Sequence, residues 1–188
     1  EIDVPLLNEK PYVEMTLAYL NAQNVRYEAA ADRSYLKIWG GAAYKPMGGT
    51  VPGDFSSAAF PACAAAISAG KVTLLGLDPN DTQGDKALFN YLASMGCQVE
   101  WKKQGNDWTL TVAAPARLQG QILDLNATPD ALPAMAATAC FATGTTRLIN
   151  VPNARIKETD RIAVMASELS RMGASITELP DGLVIEGG

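Results

Sequence analysis

The stretch Ser-Arg-Met-Gly at residues 170–173 decides the fold, because a Met-Gly pair also ends an earlier helical stretch, at residues 95–96. Glycine directly after a helix is a common stop signal. The two Met-Gly pairs lie 77 positions apart, and the glycines that follow two Ala-rich helical stretches, Gly70 and Gly144, lie 74 positions apart. Self-similarity over such a length predicts a repeated structural unit.

Each predicted unit is βαβαββ: strand, helix, strand, helix and a closing pair of strands. In the first unit we predict a strand at 50–51, an Ala-rich helix to Gly70, a strand at 71–75, a helix at 83–95, and a hairpin of 97–102 with 108–112. In the second unit we predict a strand at 122–125, an Ala-rich helix from the turn at 128–130 to Gly144, a strand at 145–150, a helix after Lys157 that ends at Met172, and strands at 174–178 and 183–185. Each Ala-rich helix is apolar on nearly all faces, which predicts central helices with the sheets outside.

The first 45 residues match only the second half of such a unit. We predict an extended connector at 1–9, a helix that opens at Pro11 and stops at Asn24, and strands at 25–29 and 35–39. Residues 42–49 have the Gly and Pro content of a linker. The sequence therefore predicts an α/β protein of two full units plus a half unit, with a boundary between residues 1–45 and residues 46–188.

The charge balance excludes some partners. The 188 residues carry 15 Lys+Arg against 20 Asp+Glu, for a net charge of −5. A general basic surface for nucleic acid or for an anionic membrane is therefore absent, and any anion site must be local. No secretory signal and no apolar run of membrane length is apparent, so we expect a cytoplasmic or organelle-matrix protein.

The chain contains no histidine, which limits its possible chemistry. Ser-His-Asp and Cys-His nucleophiles are excluded, and the commonest zinc ligand is missing. Acid–base chemistry would fall to Asp, Glu, Lys or Tyr. The three cysteines, Cys63, Cys97 and Cys140, are widely spaced and two lie in apolar helical runs, so we expect reduced structural thiols.

The segment 153–161, Asn-Ala-Arg-Ile-Lys-Glu-Thr-Asp-Arg, crowds charges at the predicted entrance of a helix. Arg155, Lys157 and Arg161 oppose the positive end of the helix dipole there. They are explained if an anion docks at this end, which would leave Glu158 close to the bound group. The alternative is a solvated first turn with surface ion pairs that contribute about 0.2 to 0.5 kcal/mol each.

Several motifs, in this order along the chain, resemble those of the 5-enolpyruvylshikimate-3-phosphate synthase family. The matching stretches are Lys-Pro-Tyr-Val-Glu-Met-Thr-Leu at 10–17, Pro-Gly-Asp-Phe-Ser-Ser-Ala-Ala-Phe at 52–60, Gln-Gly-Asp at 83–85, Asn-Ala-Thr-Pro-Asp at 126–130, and Asn-Ala-Arg-Ile-Lys-Glu-Thr-Asp-Arg-Ile at 153–162. They cover almost the whole chain, and Lys-Glu-Thr-Asp-Arg is the most specific of them.

The resemblance implies an inside-out α/β barrel of three βαβαββ units in each of two domains, with helix N-termini at the cleft between the domains. Residues 1–45 would then be the last half unit of the N-terminal domain and the hinge, and residues 46–188 two units of the C-terminal domain. Other family motifs, including the phosphoenolpyruvate segment Asn-Ala-Gly-Thr, are absent. We therefore expect an incomplete, inactive fragment whose partner is the remainder of its own chain, and a monomer when complete.

The implied reaction transfers the enolpyruvyl group of phosphoenolpyruvate to the 5-hydroxyl of shikimate 3-phosphate and releases phosphate. The family uses no metal and no organic cofactor. Both substrates are polyanions, which would supply the ligand for the cations of residues 153–161. The hydroxyl must lose a proton while the methylene carbon gains one, so the reaction needs two groups that change protonation.

The resemblance also implies roles for single residues. Asp130 corresponds to the base near the 5-hydroxyl, and Glu158 to the proton donor for the methylene carbon, with Lys157 beside it. Asn153 and Lys157 resemble contacts to shikimate 3-phosphate, and Arg161 resembles a phosphoenolpyruvate contact.

Two further contacts are implied. Tyr12 resembles a contact to the shikimate phosphate from the other domain, and Asp54 lies at a matching helix entrance that faces the cleft. Where the family commonly has Ser, this chain has Glu9, whose carboxylate would repel a phosphate. Either Glu9 points away and Asn8 donates instead, or the substrate pose differs.

Structural interpretations remain open for three of these residues. Asp130 follows a proline at a helix start, and Asp54 precedes Ser57 by three positions, as an N-cap would. Tyr12 lies on an apolar helix face and fits a core position with its hydroxyl at the rim.

Two functional alternatives also remain. Arg-Met-Gly-Ala at 171–174 suggests the related UDP-N-acetylglucosamine enolpyruvyl transferase, against which Lys-Glu-Thr-Asp-Arg argues. The chain could instead be a non-catalytic fragment that binds substrate or assists folding.

Overall fold

The computed structural model describes residues 1–188 and contains two compact units, Glu1–Val51 and Pro52–Gly188. The division follows the glycine-rich segment and falls a few residues after the predicted boundary between 45 and 46. None of the helices combines the length and the apolar character that crossing a bilayer requires.

The first compact unit packs one helix with a small antiparallel sheet. Its elements are β1 (Ile2–Asp3), α1 (Lys10–Ala22), β2 (Tyr27–Ala29) and β3 (Tyr35–Ile38), with sheet order β1-β3-β2. Asn24 has a φ of 55°, which confirms the predicted left-handed stop after α1. Within the predicted extended connector at 1–9, Ile2 and Asp3 form a short strand that pairs with β3. Glu9, directly before α1, also has a left-handed φ, of 57°.

The second compact unit begins without the strand predicted at residues 50–51. Val51 is 86% exposed and no strand pairs with it. The N–H of Gly53 donates to the carbonyl of Gly76 at 2.7 Å, without forming a strand. The elements that follow are α2 (Phe55–Ile67), β4 (Lys71–Leu75), α3 (Ala87–Ser94), β5 (Gln98–Gln104) and β6 (Asp107–Ala113). The three strands form an antiparallel sheet of order β4-β6-β5. Gly105, with a φ of 63°, lies in the turn of the predicted hairpin.

The remaining part of the second compact unit has the complete βαβαββ order of a predicted repeat unit. Its elements are β7 (Ile122–Asp124), α4 (Leu132–Ala139), β8 (Gly144–Ile149), α5 (Arg161–Arg171), β9 (Ser175–Leu179) and β10 (Gly182–Gly187). The sheet order is β7-β8-β10-β9, with β7 and β8 parallel because α4 crosses between them.

Glycine marks the helix ends less uniformly than predicted. Gly96 and Gly173, with φ of 105° and 99°, follow the caps of α3 and α5, as predicted. Gly70 is not the stop of α2, because Ala69 takes the left-handed conformation with a φ of 52°. Gly144 is the first residue of β8, and α4 already ends at Ala139.

The Ala-rich helices lie in the core, as their apolar character predicts. Six of the eight residues of α4 are buried. The helices α2 and α4 pack against each other, and Phe55 of α2 meets Phe89 of α3 edge to face at 5.9 Å between ring centroids. The small side chains on α2 and α4 allow this close packing, which brings the N-terminal ends of the two helices near each other.

The cysteines are free thiols, as predicted. Cys63 and Cys97 are buried, and Cys140 is partly buried. Burial raises the pKa of all three thiols, that of Cys97 to about 11. At neutral pH they are therefore protonated and weakly nucleophilic.

Candidate active site

A cavity of about 410 Å³ opens within the second unit where the N-terminal ends of α2, α4 and α5 converge. Its walls combine charged groups with an apolar floor. The lining residues are Ser56, Phe60, Asp130, Pro133, Glu158, Thr159, Arg161, Val164 and Met165. The starts of α2, α4 and α5 meet at this cavity, and helix N-termini carry partial positive charge that favours anions.

Arg161 is the centre of the cavity's polar wall. Its Nη1 donates to Oδ1 of Asp130 at 2.6 Å. On the other side its Nε and Nη2 donate to the two carboxylate oxygens of Glu158 at 2.9 and 2.8 Å. The guanidinium is thus held between two carboxylates that lie 28 residues apart in the chain, one bound through a single bond and the other in a bidentate pair.

The three side chains differ in exposure. Arg161 is 19% exposed, Asp130 34% and Glu158 67%. The hydrogen bonds that Arg161 donates to Glu158 are the largest cause that raises the pKa of Arg161, and the same bonds lower the pKa of Glu158. Glu158 lies mostly in solvent, so water can hydrate its carboxylate if an anion displaces it from the guanidinium.

The structure explains how Asp130 is placed. It lies in a 3₁₀ turn, Pro129–Ala131, that leads directly into α4. Thr128, before the turn, is fully buried, and the Tyr91 hydroxyl contacts its Oγ1 at 3.2 Å. The same Tyr91 hydroxyl donates to the carbonyl of Asp124 at 2.8 Å. The turn is therefore anchored to the end of β7, and Asp130 projects from a fixed base.

The segment before α5 corrects one expectation. The helix begins at Arg161, and Asp160 is its N-cap, accepting from the N–H of Ala163 at 3.0 Å. Lys157 and Glu158 therefore precede the helix and do not form its first turn. Asn153 lies further back, in a 3₁₀ turn, Pro152–Arg155. An aspartate cap at residue 160 satisfies the helix end more strongly than the glutamate two positions earlier could.

Arg155 was predicted to be one of three cations around an anion, and its contacts are different. Its guanidinium pairs with Asp160 at 2.7 Å and with Glu178 at 2.8 Å. These contacts tie it to α5 and β9. Of the predicted cations, Arg161 alone lines the cavity, and Lys157 lies next to Glu158 in the sequence.

Asp54 is the N-cap of α2 and reaches the cavity through a neighbour. Its carboxylate accepts from the N–H groups and the hydroxyls of Ser56 and Ser57, at distances of 2.5 to 3.2 Å. Burial opposes its ionisation, but these hydrogen bonds prevail and keep the pKa of Asp54 below its usual value. The structural interpretation of Asp54 therefore holds, and Ser56 is the residue that lines the cavity. Tyr12 lies on α1 of the other compact unit, partly buried.

Sequence reasoning missed several of the cavity residues. Ser56 follows the predicted Asp54 by two positions, and its place in the first turn of α2 could have indicated it. Val164 and Met165 lie three and four residues after Arg161, which puts them on the same face of α5. That spacing was available in the sequence. Phe60 and Pro133 carry no polar signal and could not have been selected.

The competing interpretation of 153–161 as simple surface pairs is only partly correct. The Glu158–Arg161 pair does form with the i,i+3 spacing. Asp130 joins it from a different helix, which no surface-pair interpretation of this segment requires. Two carboxylates converging on one partly buried guanidinium in a cavity is typical of a functional site.

The N-cap role of Asp54 leads to a prediction about the free energy of unfolding. Replacing Asp54 with Ala lowers the free energy of unfolding of the second compact unit by about 1 kcal/mol, the usual effect of losing an N-cap acceptor. Urea denaturation followed by far-ultraviolet circular dichroism measures it. The matched control is Asp78→Ala, which removes a loop carboxylate bonded to Asn80 and should change the value by less than about 0.5 kcal/mol. Equal losses in both variants would contradict the capping role.

The pKa of Glu158 makes a second prediction. Replacing Arg161 with Met removes the hydrogen bonds that lower this pKa, so the pKa of Glu158 rises. Because the folded-state pKa is depressed, the interaction stabilises the protein above the unfolded-state pKa and is lost as pH falls through the folded-state value. Carboxyl-carbon NMR titration measures the change. Arg171→Met, on an exposed arginine that pairs with Glu168, should leave the pKa of Glu158 unchanged; an equal rise there would contradict the assignment.

Solved structures resemble this chain over nearly its whole length. The EPSP synthase of Acinetobacter baumannii superposes with a TM-score of 0.72 and 28% identity, over 92% of this chain and 40% of that chain. The enolpyruvyl transferase NikO of Streptomyces tendae superposes with a TM-score of 0.65, over 98% of this chain and 42% of that chain, at 19% identity, which shows the fold alone. The chain therefore has the α/β fold of these enolpyruvyl transferases.

Sequence comparison narrows this class to one family. The profile of EPSP synthase (3-phosphoshikimate 1-carboxyvinyltransferase) matches residues 1–188. The 3-phosphoshikimate 1-carboxyvinyltransferases of Ruminiclostridium cellulolyticum and Acetivibrio thermocellus are 50% and 51% identical to 98% of this chain. The chain belongs to the EPSP synthase family, which confirms the resemblance seen in its motifs. It spans 42% of the length of each of these two relatives.

Proposed function

We propose that the protein containing this chain transfers the enolpyruvyl group of phosphoenolpyruvate to the 5-hydroxyl of shikimate 3-phosphate and releases phosphate. The observation that carries the proposal is Arg161, held between Asp130 and Glu158 in the cavity. A cation for an anionic substrate and two groups that can exchange protons lie within direct contact of one another. That is the set of groups that the reaction requires in a chain without histidine.

Asp130 takes the proton of the 5-hydroxyl as the hydroxyl oxygen forms a bond to the central carbon of phosphoenolpyruvate. The methylene carbon accepts a proton from Glu158 and becomes a methyl group. In the second half of the reaction the carbon–oxygen bond to phosphate breaks, and the methyl group gives a proton back. Glu158 takes back that proton, while phosphate leaves with the electron pair of the broken bond and takes up the proton that Asp130 removed from the hydroxyl, so both carboxyl groups return to their starting states.

The contact between Arg161 and Glu158 supports a proposal for how Glu158 becomes a proton donor. Hydrogen bonds from Arg161 keep the pKa of Glu158 low, and a carboxylate in that state cannot donate. A phosphate or carboxylate that binds Arg161 competes for the same N–H groups. Displaced Glu158 loses its counter-charge and comes to lie beside an anion, and both effects raise its pKa. Substrate binding would thus prepare the donor.

The remaining contacts are proposed from the family resemblance. Asn153 and Lys157 lie on the segment that leads to Glu158 and are assigned to shikimate 3-phosphate, as is Tyr12. Asp54 acts through Ser56, which lines the cavity. Residues 46–188 are proposed to supply two of the three repeat units of one domain. We also propose a cytoplasmic enzyme that is monomeric when complete and needs no metal and no organic cofactor.

A phosphate-release assay tests the proposal. The complete protein should release phosphate from phosphoenolpyruvate only when shikimate 3-phosphate is present. Residues 1–188 alone should bind substrates weakly and release none, because two and a half repeat units cannot close two domains of three. Release with UDP-N-acetylglucosamine as acceptor would favour the related transferase, and silence with both acceptors would favour a binding fragment. Robust turnover by residues 1–188 would contradict the incomplete-site proposal.

A further inference from the structure

We infer that Arg155 is a positioning residue: it clamps the segment 156–160 to the turn between β9 and β10 and so places Glu158 at the cavity. The inference rests on the proposed function of Glu158. It assigns a task to Arg155, one of the two predicted cations that do not line the cavity. The clamp itself is a property of the fold and can be tested without any activity.

Arg155 makes contacts in three directions. Its Nε donates to the carbonyl of Pro180 at 2.7 Å and its Nη2 to the carbonyl of Leu179 at 2.6 Å. Its Nη2 also donates to Oε1 of Glu178 at 2.8 Å, and its Nη1 to Oδ2 of Asp160 at 2.7 Å. The side chain is 26% exposed. One planar guanidinium thus bridges the start of α5 and the end of β9.

The turn between β9 and β10, whose carbonyls Arg155 binds, is itself held in place by other contacts. The N–H of Val151 donates to the carbonyl of Asp181 at 2.9 Å, and the N–H of Asn150 donates to the Asp181 carboxylate at 3.1 Å. A Cβ at Gly182 would collide with the carbonyl of Leu148. The β9–β10 turn therefore lies directly against the end of β8, and its carbonyls form a rigid anchor for the guanidinium.

The segment that Arg155 restrains carries the proposed proton donor. Residues 156–160 form neither helix nor strand, and Ile156 and Glu158 are exposed. Ala154, before the segment, is fully buried, and Asp160, at its end, caps α5. The side chain of Arg155 bonds the start of the segment to its end through Asp160. Without it, α5 keeps its cap while the segment loses its link to the sheet.

The substitution Arg155→Lys distinguishes a geometric role of Arg155 from an effect of its positive charge alone. A lysine has one ammonium at the end of its chain and cannot reach four acceptors in three directions. If Arg155 acted only by charge, Arg155→Lys would preserve its effect. If it acts by geometry, Arg155→Lys should behave nearly as Arg155→Met does.

The first test is native proteolysis of the complete protein with endoproteinase Lys-C. Arg155→Met should accelerate cleavage after Lys157 by about tenfold or more, the expected loss of charge-assisted hydrogen bonds; Arg155→Lys is left to the kinetic test, because it would itself create a Lys-C site. Cleavage after Lys86, whose ammonium is bonded to the carbonyls of Pro79 and Asp81, reports global unfolding and should not change. Arg147→Met, on an exposed β8 residue, is the control. An unchanged cleavage rate after Lys157 would overturn the clamp.

The second test is steady-state kinetics on both Arg155 variants. Arg155→Met and Arg155→Lys should lower kcat by about tenfold or more while KM for phosphoenolpyruvate, whose proposed contact Arg161 lies in α5 behind the retained cap, stays within about threefold. Glu178→Gln, which removes one clamp contact, should give a smaller change in the same direction and serves if Arg155→Met does not fold. Faster cleavage after Lys157 with unchanged kcat would overturn the positioning role. An inactive wild-type protein would instead overturn the proposed function, and proteolysis would still decide the clamp.

Discussion

Replacing Asp130 with Asn lowers kcat of the complete enzyme by about 10² to 10⁴-fold, the usual range for loss of a general base. Asn keeps the shape of the side chain and an oxygen that can accept from Arg161, so the cavity is preserved. It cannot take the proton of the attacking hydroxyl. Steady-state phosphate release at saturating substrates measures the loss.

The control for this prediction is Asp124→Asn. Asp124 ends β7 six residues earlier and accepts from the N–H of Asn126 and the side chain of Asn150, outside the cavity. We expect less than about a threefold change in kcat there, typical of a residue that does not touch the reacting atoms. Near-normal turnover of Asp130→Asn, or equal losses in both variants, would remove Asp130 from the role of base.

Replacing Glu158 with Gln also lowers kcat by about 10² to 10⁴-fold, because the methylene carbon loses its proton donor. KM for phosphoenolpyruvate should fall or stay unchanged, since Arg161 is released from its competing carboxylate and becomes available to the anion. The same phosphate-release assay, run over a range of phosphoenolpyruvate concentrations, separates the two constants.

The chain offers a closely matched control in Glu168→Gln. Glu168 pairs with Arg171 at the same i,i+3 spacing, also in the second compact unit, but it is exposed and does not line the cavity. Its replacement should leave kcat and KM near their original values. A raised KM with unchanged kcat in Glu158→Gln would show that Glu158 binds substrate and does not donate a proton.

The order of elements was accessible from the sequence because its signals are local. Met-Gly ends α3 and α5, and the hairpin of β5 with β6 turns at Gly105, as predicted. The central Ala-rich helices followed from their uniformly apolar faces. These features depend on glycine conformation and on hydrophobic pattern, which neighbouring residues determine.

The predictions were wrong where contacts between distant residues determine the backbone structure. The strand predicted at 50–51 needed a partner strand, and none pairs with Val51. Ala69 takes the left-handed conformation that Gly70 was expected to take. The prediction for residues 1–9 did not include β1, which forms by pairing with β3, more than 30 residues away in the chain. Propensity alone cannot supply such pairings.

The sequence identified the charged residues of the site, but it did not predict which residues some of them contact. The crowding of charges at 153–161 correctly drew attention to Glu158 and Arg161. It could not separate Arg155, which contacts β9, from Arg161, which contacts Asp130. Both are arginines near one helix start, and only the packing of the sheet against that segment distinguishes them.

The most direct measurement of proton donation to carbon is the isotope content of product formed in D₂O. Glu158 is largely exposed, so its acidic proton exchanges with solvent before transfer. One deuteron added to the methylene carbon gives a methyl group from which any of three hydrogens can leave. We predict deuterium in the methylene group of the enolpyruvyl product, detected by mass spectrometry. A product free of deuterium at that carbon would contradict transfer through protonation of the methylene group.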